Sequence, residues 1–255
     1  MNTPTSPSLA SLYRERSKHS SYQLVHPMLA PLLGDATDMP AGKLEVERQR
    51  YFARALSLQG ASVLDIGANT GYFSFGAIER GAHRVRCYEG NAQHAQFIRT
   101  SADRLGLGER IDVRHAYFDF TGDESEVFDV CLCLNVVHHL GDDFGDAALS
   151  LDEARSHMLA CVNRMAATVR VLMLQVGFNW KGDVRTPLFA GGQKSALIEF
   201  VQRGVEGHWS VGEIVVPDPA TRDYEAVNAA NIARNDAIGE FMNRPIFKLR
   251  SLQLD

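Results

Sequence analysis

The stretch Val63–Ser74, which reads VLDIGANTGYFS, combines residue types that can bring bare backbone close to a bound ligand. Its apolar first half predicts a buried strand, and the residues from Tyr72 onward begin a helical pattern. Between them lies a tight turn bounded by Gly67 and Gly71. A strand, a glycine turn and a helix N-terminus together leave backbone N–H groups pointing at open space. We therefore expect a cofactor to bind at this turn.

The spacing within the turn discriminates between two kinds of cofactor. A dinucleotide site requires the pattern G-x-G-x-x-G, in which the middle glycine lets the backbone approach a pyrophosphate. Here Asn69 replaces that middle glycine, and Asp65 stands two places before Gly67. A carboxylate at Asp65 repels a pyrophosphate but suits a cationic or hydroxylated ligand. The turn therefore favours a ligand without phosphate groups.

A second acidic residue follows at the distance that a ribose-binding carboxylate needs. The stretch His83–Tyr88 reads as the next strand, and it ends at Glu89, Gly90 and Asn91. An acidic residue about 20 positions beyond a glycine turn, at the end of the second strand, binds the hydroxyls of a nucleoside ribose. A surface carboxylate that merely ends a strand is the alternative, but the distance from the turn favours the ribose role.

With these residues the chain resembles the class I S-adenosylmethionine (SAM)-dependent methyltransferases, whose first motif has the form D-x-G-x-x-x-G. SAM carries an ammonium and a sulfonium group and no phosphate, which suits the substitutions in the turn. The resemblance covers residues 60–176 in sequence and the rest only in topology. It implies that SAM is the co-substrate and that its binding residues include Asp65, Gly67, Asn69, Gly71, Glu89 and Gly90.

Two further strand ends complete the site that the resemblance implies. Asn135 follows the apolar run Asp129–Leu134, at a position beside the methionine part of SAM, where its amide can both donate and accept. Phe118 and Asp119 end the preceding strand and are expected to meet the adenine by stacking and by accepting from its amine. Family members often carry an aspartate one or two places earlier, where this chain has Tyr117 and Phe118.

His138 and His139 follow Asn135 closely in sequence. A histidine near the transferred methyl group can take a proton from an acceptor hydroxyl or amine, because its pKa lies near neutrality. We therefore name both as candidate catalytic bases. The alternative is that the pair begins the next helix, with one ring packed and the other in contact with solvent.

Apolar runs and helical patterns alternate along the chain, which predicts an α/β fold of the Rossmann-like, doubly wound kind. Most of the sheet is expected to be parallel, with a terminal antiparallel strand at Ile246–Ser251 as in the resembled family. Residues 1–57 are expected to form an N-terminal helical lid, and residues 58–255 the SAM-binding domain. The other predicted core elements are Ser62–Ile66, Tyr72–Glu79, Arg84–Glu89, Ala92–Leu105, Ile111–Phe118, Asp129–Leu134, Ala147–Ala167, Val169–Val176 and Gly212–Val216.

Two inserts near the carboxyl ends of strands, at about residues 177–210 and 217–245, are expected to cap the site. The first is expected to contain a helix over Gln193–Gln202, and the second a helix over Thr221–Phe241 with Thr221 as its N-cap. Both tryptophans lie in the first insert, where they either pack that insert or line the acceptor site. The candidate lining residues are Tyr13, Tyr22, Trp180, Trp209, Tyr224, Asn228 and Asn231.

The composition limits the kinds of substrate and partner that we expect for the protein. Of the 255 residues 22% are charged, the net charge is −5, and the lysines and arginines are scattered, which favours a small-molecule acceptor over nucleic acid. No apolar run reaches the ~18 residues of a membrane span. Residues 1–20 lack an apolar signal-peptide core, so we expect a cytoplasmic protein. Cys87, Cys131, Cys133 and Cys161 are interpreted as buried hydrophobes in a reducing compartment, and no metal site is predicted.

The favoured function is small-molecule biosynthesis through SAM-dependent O- or N-methylation with in-line methyl transfer. The same site can present the Cγ atom of SAM to an intramolecular nucleophile, as in azetidine-forming SAM cyclases, which release methylthioadenosine. RNA methylation is a further alternative, but an Asn-Pro-Pro-Tyr motif for base amines is replaced here by Asn135-Val136-Val137-His138. A non-catalytic SAM-binding protein is the last alternative, and the complete set of motif residues argues against it.

Overall fold

A computed structural model describes residues 8–14, 23–34, 42–121 and 126–254 of the chain. The α-helices in these ranges are α1 (Leu9–Arg14), α2 (Ala30–Leu33), α3 (Glu45–Ala55), α4 (Tyr72–Glu79), α5 (Ala92–Arg104), α6 (Leu151–Arg164) and α7 (Lys194–Gly204). The strands are β1 (Ser62–Ile66), β2 (Arg84–Tyr88), β3 (Ile111–Arg114), β4 (Phe128–Leu134), β5 (Val169–Gln175), β6 (Trp209–Pro217), β7 (Tyr224–Ala226), β8 (Ala237–Glu240) and β9 (Ile246–Ser251).

Within the described residues, all strands except β8 form one eight-stranded sheet in the order β3-β2-β1-β4-β5-β9-β6-β7. The first five strands along the chain pair in parallel. β9 runs antiparallel to both of its neighbours, β5 and β6. The predicted fold class and the antiparallel strand at Ile246–Ser251 are therefore confirmed. Because the strand order reverses between β1 and β4, a crevice opens above their carboxyl ends, where open α/β sheets bind ligands.

Apolar residues on both faces of the sheet form the core. Every residue of β1 is buried, and its successive side chains point to opposite faces. Val63 packs in one cluster with Phe73 of α4 and Phe97 of α5, whereas Leu64 packs in the other with Met158 of α6. Helices therefore cover both faces, which explains why β1 reads as a continuous apolar run rather than an alternating one.

The described part of the N-terminal region packs on the same face as α4 and α5. Tyr13 of α1 lies against Phe97, with ring centroids 5.7 Å apart. Phe52 of α3 meets Phe73 edge-on, with ring centroids 5.6 Å apart. These contacts tie residues 8–14 and 45–55 to the sheet, and the division of the chain at residue 57 stays a prediction.

The helix predicted over Thr221–Phe241 is wrong. β7, a series of turns and β8 occupy this region instead. Thr221 donates its hydroxyl and its N–H to Asp218 Oδ1, so it belongs to a turn and does not cap a helix. Asn228 Oδ1 accepts the N–H of Ala230 at 2.8 Å, and asparagine side chains that bond nearby backbone in this way compete with helix formation.

Other element boundaries differ by a few residues. The strand predicted over Ile111–Phe118 ends at Arg114, and the strand predicted over Gly212–Val216 begins earlier, at Trp209. The helix predicted over Ala147–Ala167 begins at Leu151, because Ser150 and Glu153 form a reciprocal capping box there. The helix α7 confirms the one predicted over Gln193–Gln202. In the ranges that the structure covers, no helix has both the length and the apolar character that crossing a membrane requires.

Candidate functional site

A cleft opens above the carboxyl ends of β1, β2 and β4, and we refer to it as the strand-end cleft. Seven of the residues predicted from the sequence line it, namely Gly67, Asn69, Glu89, Gly90, Phe118, Asn135 and His139. Further residues line the cleft that the sequence analysis did not name as ligand contacts, among them Tyr88, Tyr117, Val136, Asp143 and Phe144. Residues from five separate loops and strand ends therefore meet at the point that the topology predicts.

The glycine turn does not present free N–H groups, which corrects the expectation from the sequence. The N–H groups of Gly67 and Ala68 both donate to the carbonyl oxygen of Tyr88, at 2.9 and 3.0 Å. Asn69 N donates to Glu89 Oε2 at 2.6 Å, and Thr70 N donates to Gln23 Oε1 at 3.0 Å. Because the protein itself satisfies these donors, the turn is poorly suited to a pyrophosphate, which favours a cofactor without phosphate.

Gln23 holds the start of α4 and was missed by sequence reasoning. Its Oε1 accepts the N–H and the hydroxyl of Thr70, at 3.0 and 2.8 Å, and its side chain is buried. The N-cap residue of α4, Gly71, has no side chain that could accept a hydrogen bond. Gln23 therefore takes the place of an N-cap side chain at the start of this helix. Because Gln23 comes from a segment 47 positions away, no local pattern could have indicated it.

Glu89 lies at the end of β2 with its carboxylate fixed by two backbone groups. Its Oε2 accepts the N–H of Asn69 at 2.6 Å, and its Oε1 accepts the N–H of Asn91 at 2.8 Å. The residue is 7% exposed and lines the strand-end cleft. Each carboxylate oxygen has a second lone pair, so both can still accept a hydroxyl. The geometry fits a carboxylate that is pre-positioned for the two hydroxyls of a ribose.

Two glycines allow the walls of the strand-end cleft to come close together. A Cβ atom on Gly67 would lie 2.8 Å from Val136 Cγ2, and the φ of Gly67 is +72°, which disfavours other residues. A Cβ atom on Gly90 would overlap the ring of Tyr117. Gly71, which starts α4, lies outside the lining, and a Cβ atom there would be 3.1 Å from Ile98 Cγ1. The two lining glycines thus shape a narrow cleft, as a flat nucleoside requires.

The end of the cleft beside β3 is aromatic. Phe118 contacts Tyr88 edge-on, with ring centroids 4.9 Å apart, and Tyr117 lies beside it with 50% of its surface exposed. Phe144 belongs to the same aromatic group, because Phe120 packs against both Phe118 and Phe144, with ring centroids 4.9 and 5.0 Å away. Asp119 is not among the lining residues and is exposed, with its Oδ1 accepting from Thr121 at 3.1 Å. These rings suit stacking on a base, whereas the structure does not bring Asp119 to the cleft.

Asn135 occupies the opposite end of the cleft, at the carboxyl end of β4. Its φ is +63°, a left-handed conformation that asparagine tolerates better than most residues. Its Nδ2 donates to Gln175 Oε1 at 3.2 Å, and its Oδ1 accepts from Arg244 Nη1 at 2.7 Å. The amide is thus oriented by two residues from β5 and from the segment before β9.

The two histidines have different surroundings. His139 lines the strand-end cleft, and its Nδ1 lies 3.7 Å from both Asp142 Oδ2 and Asp143 Oδ2. His138 is 2% exposed, and its Nδ1 accepts the N–H of Gly177 at 3.2 Å. Both lie in a short 3-10 helix, Val137–His139, so the pair does not begin a long helix. Only His139 is in a position to meet a ligand in the cleft.

Asp65 lies beneath the turn and outside the lining of the strand-end cleft. Its Oδ2 accepts the hydroxyl of Ser74 on α4 at 2.6 Å, and the residue is 3% exposed. Burial raises the pKa of its carboxyl from 3.8 to about 6, against the opposing effect of Ser74. A contact with the cofactor stays a prediction, and the visible role of Asp65 is to link β1 to α4.

The buried carboxylate of Asp65 makes the stability of the protein depend on pH. Because its folded pKa is the higher one, the folded state binds more protons between pH 3.8 and about 6, and its stability falls as the pH rises through that window. We expect Asp65→Asn to raise the free energy of unfolding by up to about 3 kcal/mol at neutral pH. Urea unfolding of both proteins measures this difference.

The difference between Asp65→Asn and wild type is expected to shrink toward zero as the pH falls below the 3.8 of an exposed aspartate. The same substitution at the exposed Asp103 controls for the loss of one charge. A gain in stability that is equal at neutral and at acidic pH would contradict the assignment to the Asp65 carboxylate.

The residues named as candidate acceptor contacts mostly serve other purposes. Trp209 is buried at the start of β6, where its Nε1 donates to the carbonyl of Val162, and Trp180 Nε1 donates to the carbonyl of Leu140. Both tryptophans therefore pack their surroundings. Asn231 bonds local backbone, and Tyr224 OH accepts from the Nε2 of the buried Gln175. Tyr22 lies outside the described residues.

The central part of the chain matches the model of a known protein family. Residues 63–158 match the family described as a methyltransferase domain. This segment contains the glycine turn, Glu89, Asn135 and both histidines. Among curated proteins, no sequence matches the chain.

Solved structures share the fold at low sequence identity. The bifunctional kinase-methyltransferase WbdD matches with a TM-score of 0.55 and 16% identity, over 95% of this chain and 46% of that one. TrmN from Thermus thermophilus matches with a TM-score of 0.50 and 15% identity, over 83% of this chain and 50% of that one. Magnesium protoporphyrin IX methyltransferase from Synechocystis PCC 6803, with bound SAM, gives a TM-score of 0.49 and 15% identity, over 82% of this chain and 78% of that one.

Proposed function

We propose that this chain, of which residues 63–158 match a methyltransferase domain, is a class I SAM-dependent methyltransferase that uses SAM to methylate a small-molecule acceptor at an oxygen or nitrogen atom. The observation that carries the proposal is the strand-end cleft, in which a fixed carboxylate stands between an aromatic end and a polar amide end. The net charge of −5 speaks for a small molecule rather than RNA.

The proposed binding roles follow the order of the strand ends. Glu89 would accept the two ribose hydroxyls, and Phe118 would stack on the adenine. Gly67, Asn69 and Asn135 would hold the methionine part at the other end of the cleft. When bound, SAM supplies a methyl group on a cationic sulfur, which is already an activated donor. The protein therefore has to position the acceptor, exclude water and, for a neutral acceptor, remove a proton.

We propose His139 as the group that takes the acceptor proton. It lines the strand-end cleft, and the carboxylates of Asp142 and Asp143, each 3.7 Å from its Nδ1, would stabilise the imidazolium that forms. The burial of His138 and its bond to Gly177 N speak against the same role for that ring.

We expect His139→Ala to lower turnover about 100-fold and to remove the acidic limb of the pH–rate profile, since general-base catalysis contributes at least that much. The affinity for SAM should stay within a few-fold of wild type. His138→Ala serves as the matched variant and is expected to lower the free energy of unfolding by about 1–3 kcal/mol with little change in turnover. Turnover within a few-fold of wild type in His139→Ala would disprove the base.

The acceptor class can be tested with methyl-labelled SAM, a dialysable metabolite extract and purified total RNA. We expect label in a dialysable product that chromatography separates from SAM, formed together with S-adenosylhomocysteine. Label confined to RNA would overturn the small-molecule acceptor and leave the methyltransferase intact. Methylthioadenosine formed from SAM alone would instead identify a SAM cyclase.

A further inference from the structure

A second group of polar side chains lies directly beyond the amide end of the strand-end cleft. It consists of Asn135, Gln175, Glu240 and Arg244, and we call it the Arg244 cluster. These residues sit at the carboxyl ends of β4 and β5, at the end of β8 and just before β9. Arg244 Nη1 donates to Asn135 Oδ1 at 2.7 Å, so the guanidinium touches a residue that lines the cleft.

Arg244 is held rigidly and is nearly excluded from solvent. Its side chain is 8% exposed, its Nη2 pairs with Glu240 Oε1, and its guanidinium lies 4.2 Å from the centroid of the Phe241 ring. The carboxylate of Glu240 also has a second partner, because its Oε2 accepts the N–H of Phe178 at 3.1 Å. Asn135, Glu240 and Phe241 thus hold the guanidinium in one orientation. A planar set of N–H donors held in this way is pre-organised for a planar or tetrahedral anion.

One donor of this buried guanidinium has no hydrogen-bond partner. Within the described residues, nothing accepts from Arg244 Nε, although the atom is buried. Leaving a buried charged donor unsatisfied costs free energy, and such groups need an explanation. A ligand that brings an anionic oxygen to Arg244 would satisfy this donor.

Additional positive charge lies near the Arg244 cluster. The ammonium group of Lys43 lies 5.7 Å from the centroid of the same Phe241 ring. Arg48 joins the cluster through Gln175, whose Oε1 accepts from Arg48 Nη1 at 3.2 Å. Against these three cations stand the carboxylates of Glu45, which pairs with Arg48, and Glu240. The local charge therefore has an excess of one cation, in a protein whose net charge is −5.

The order of the strand ends shows which end of the cofactor faces the Arg244 cluster. The aromatic end of the cleft lies toward β3, Glu89 follows β2, and Asn135 follows β4. With the ribose at Glu89 and the base at the aromatic end, the remaining part of SAM extends toward Asn135. The Arg244 cluster therefore lies beside the end of the cleft at which the methionine part of SAM would bind.

We propose that Arg244, supported by Lys43, forms a subsite for a carboxylate or phosphate group of the acceptor. This inference rests on the proposed function, since it assumes that the strand-end cleft holds SAM. The same chemistry would suit the α-carboxylate of SAM itself, and the experiment has to separate these two sources. If Arg244 binds the acceptor, we expect the methyl acceptor to be an anionic small molecule that is anchored through its charge.

The test uses isothermal titration of the S-adenosylhomocysteine-saturated protein with inorganic phosphate and with benzoate, against sodium chloride at equal ionic strength. Glu240→Gln removes the competing carboxylate and should strengthen anion binding about tenfold. Adding Arg244→Gln to that variant should weaken anion binding about 10- to 100-fold relative to wild type, because a charge-assisted donor pair is lost. The double variant leaves no unpaired buried charge, and Arg250→Gln, at an exposed position of β9, is the matched control.

The proposal is supported if anion affinity follows this order while the affinity for S-adenosylhomocysteine stays within threefold in all variants. A large loss of S-adenosylhomocysteine affinity in the double variant would overturn it, because Arg244 would then hold the cofactor's own carboxylate. Equal anion affinity in all variants, or none in wild type, would overturn it as well. Failure of wild type to bind S-adenosylhomocysteine at all would contradict the proposed function, which is a separate result.

Discussion

Replacing Glu89 with glutamine is expected to weaken the binding of SAM about 100-fold, the largest effect on affinity that we expect from a single side chain. Glutamine keeps the size of the side chain but offers one acceptor atom in place of two. Its NH2 group would also face the N–H of Asn69 or of Asn91, which now donate to the two carboxylate oxygens at 2.6 and 2.8 Å. The substitution would therefore weaken the contact with the ribose and distort the glycine turn.

Isothermal titration of wild type, Glu89→Gln and Glu109→Gln with SAM measures this effect. Glu109 is exposed and lies away from the cleft, so its substitution controls for the loss of one negative charge. Thermal unfolding of the same proteins shows whether Glu89→Gln still folds cooperatively. An affinity for SAM within threefold of wild type in a folded Glu89→Gln protein would contradict the ribose role.

Gln175→Leu is expected to lower the free energy of unfolding by about 3–5 kcal/mol, the largest effect on stability that we expect outside the hydrophobic core. Gln175 is 1% exposed and makes four hydrogen bonds through its side chain. Leucine has a similar volume but would leave Arg48 Nη1, the amide of Asn135 and the hydroxyl of Tyr224 without this partner. Each buried polar group left unsatisfied costs about 1–3 kcal/mol.

Urea unfolding of Gln175→Leu and of Gln202→Leu separates this effect from a general change of glutamine to leucine. Gln202 is exposed on α7, and its substitution should change the free energy of unfolding by less than about 0.5 kcal/mol. The loss at Gln175 should also displace Asn135 and Arg244, so we expect weaker SAM binding in the variant. A loss of stability below about 1 kcal/mol at Gln175 would show that the network is not closely coupled.

The parts of the fold that the sequence predicted well depend on local patterns. The apolar run of β1, the glycines of the turn and the acidic residue after β2 each lie within a few residues of what they determine. The insert over residues 217–245 was mispredicted because its asparagines bond nearby backbone, as Asn228 does with Ala230 N. The helix propensities of the residues in this insert do not show that such side-chain hydrogen bonds compete with helix formation.

The parts of the site that sequence reasoning missed depend on contacts between distant segments. Gln23 reaches Thr70 across 47 positions, and Arg244 reaches Asn135 across 109. Asp119 was expected at the adenine because the predicted strand ran to Phe118, whereas β3 ends at Arg114 and the following loop turns Asp119 outward. Local patterns thus indicated the cofactor end of the site better than the acceptor end, where the N-terminal region and the inserts meet the sheet.

The central claim is that the strand-end cleft binds SAM through a turn whose N–H groups the protein itself satisfies. The most direct test is a calorimetric titration of the wild-type protein with SAM and, separately, with NAD+ under the same conditions. We predict saturable one-to-one binding of SAM and no measurable binding of NAD+, whose pyrophosphate would find no free donors at Gly67 and Ala68. No measurable heat with SAM, or tighter binding of NAD+, would contradict the account.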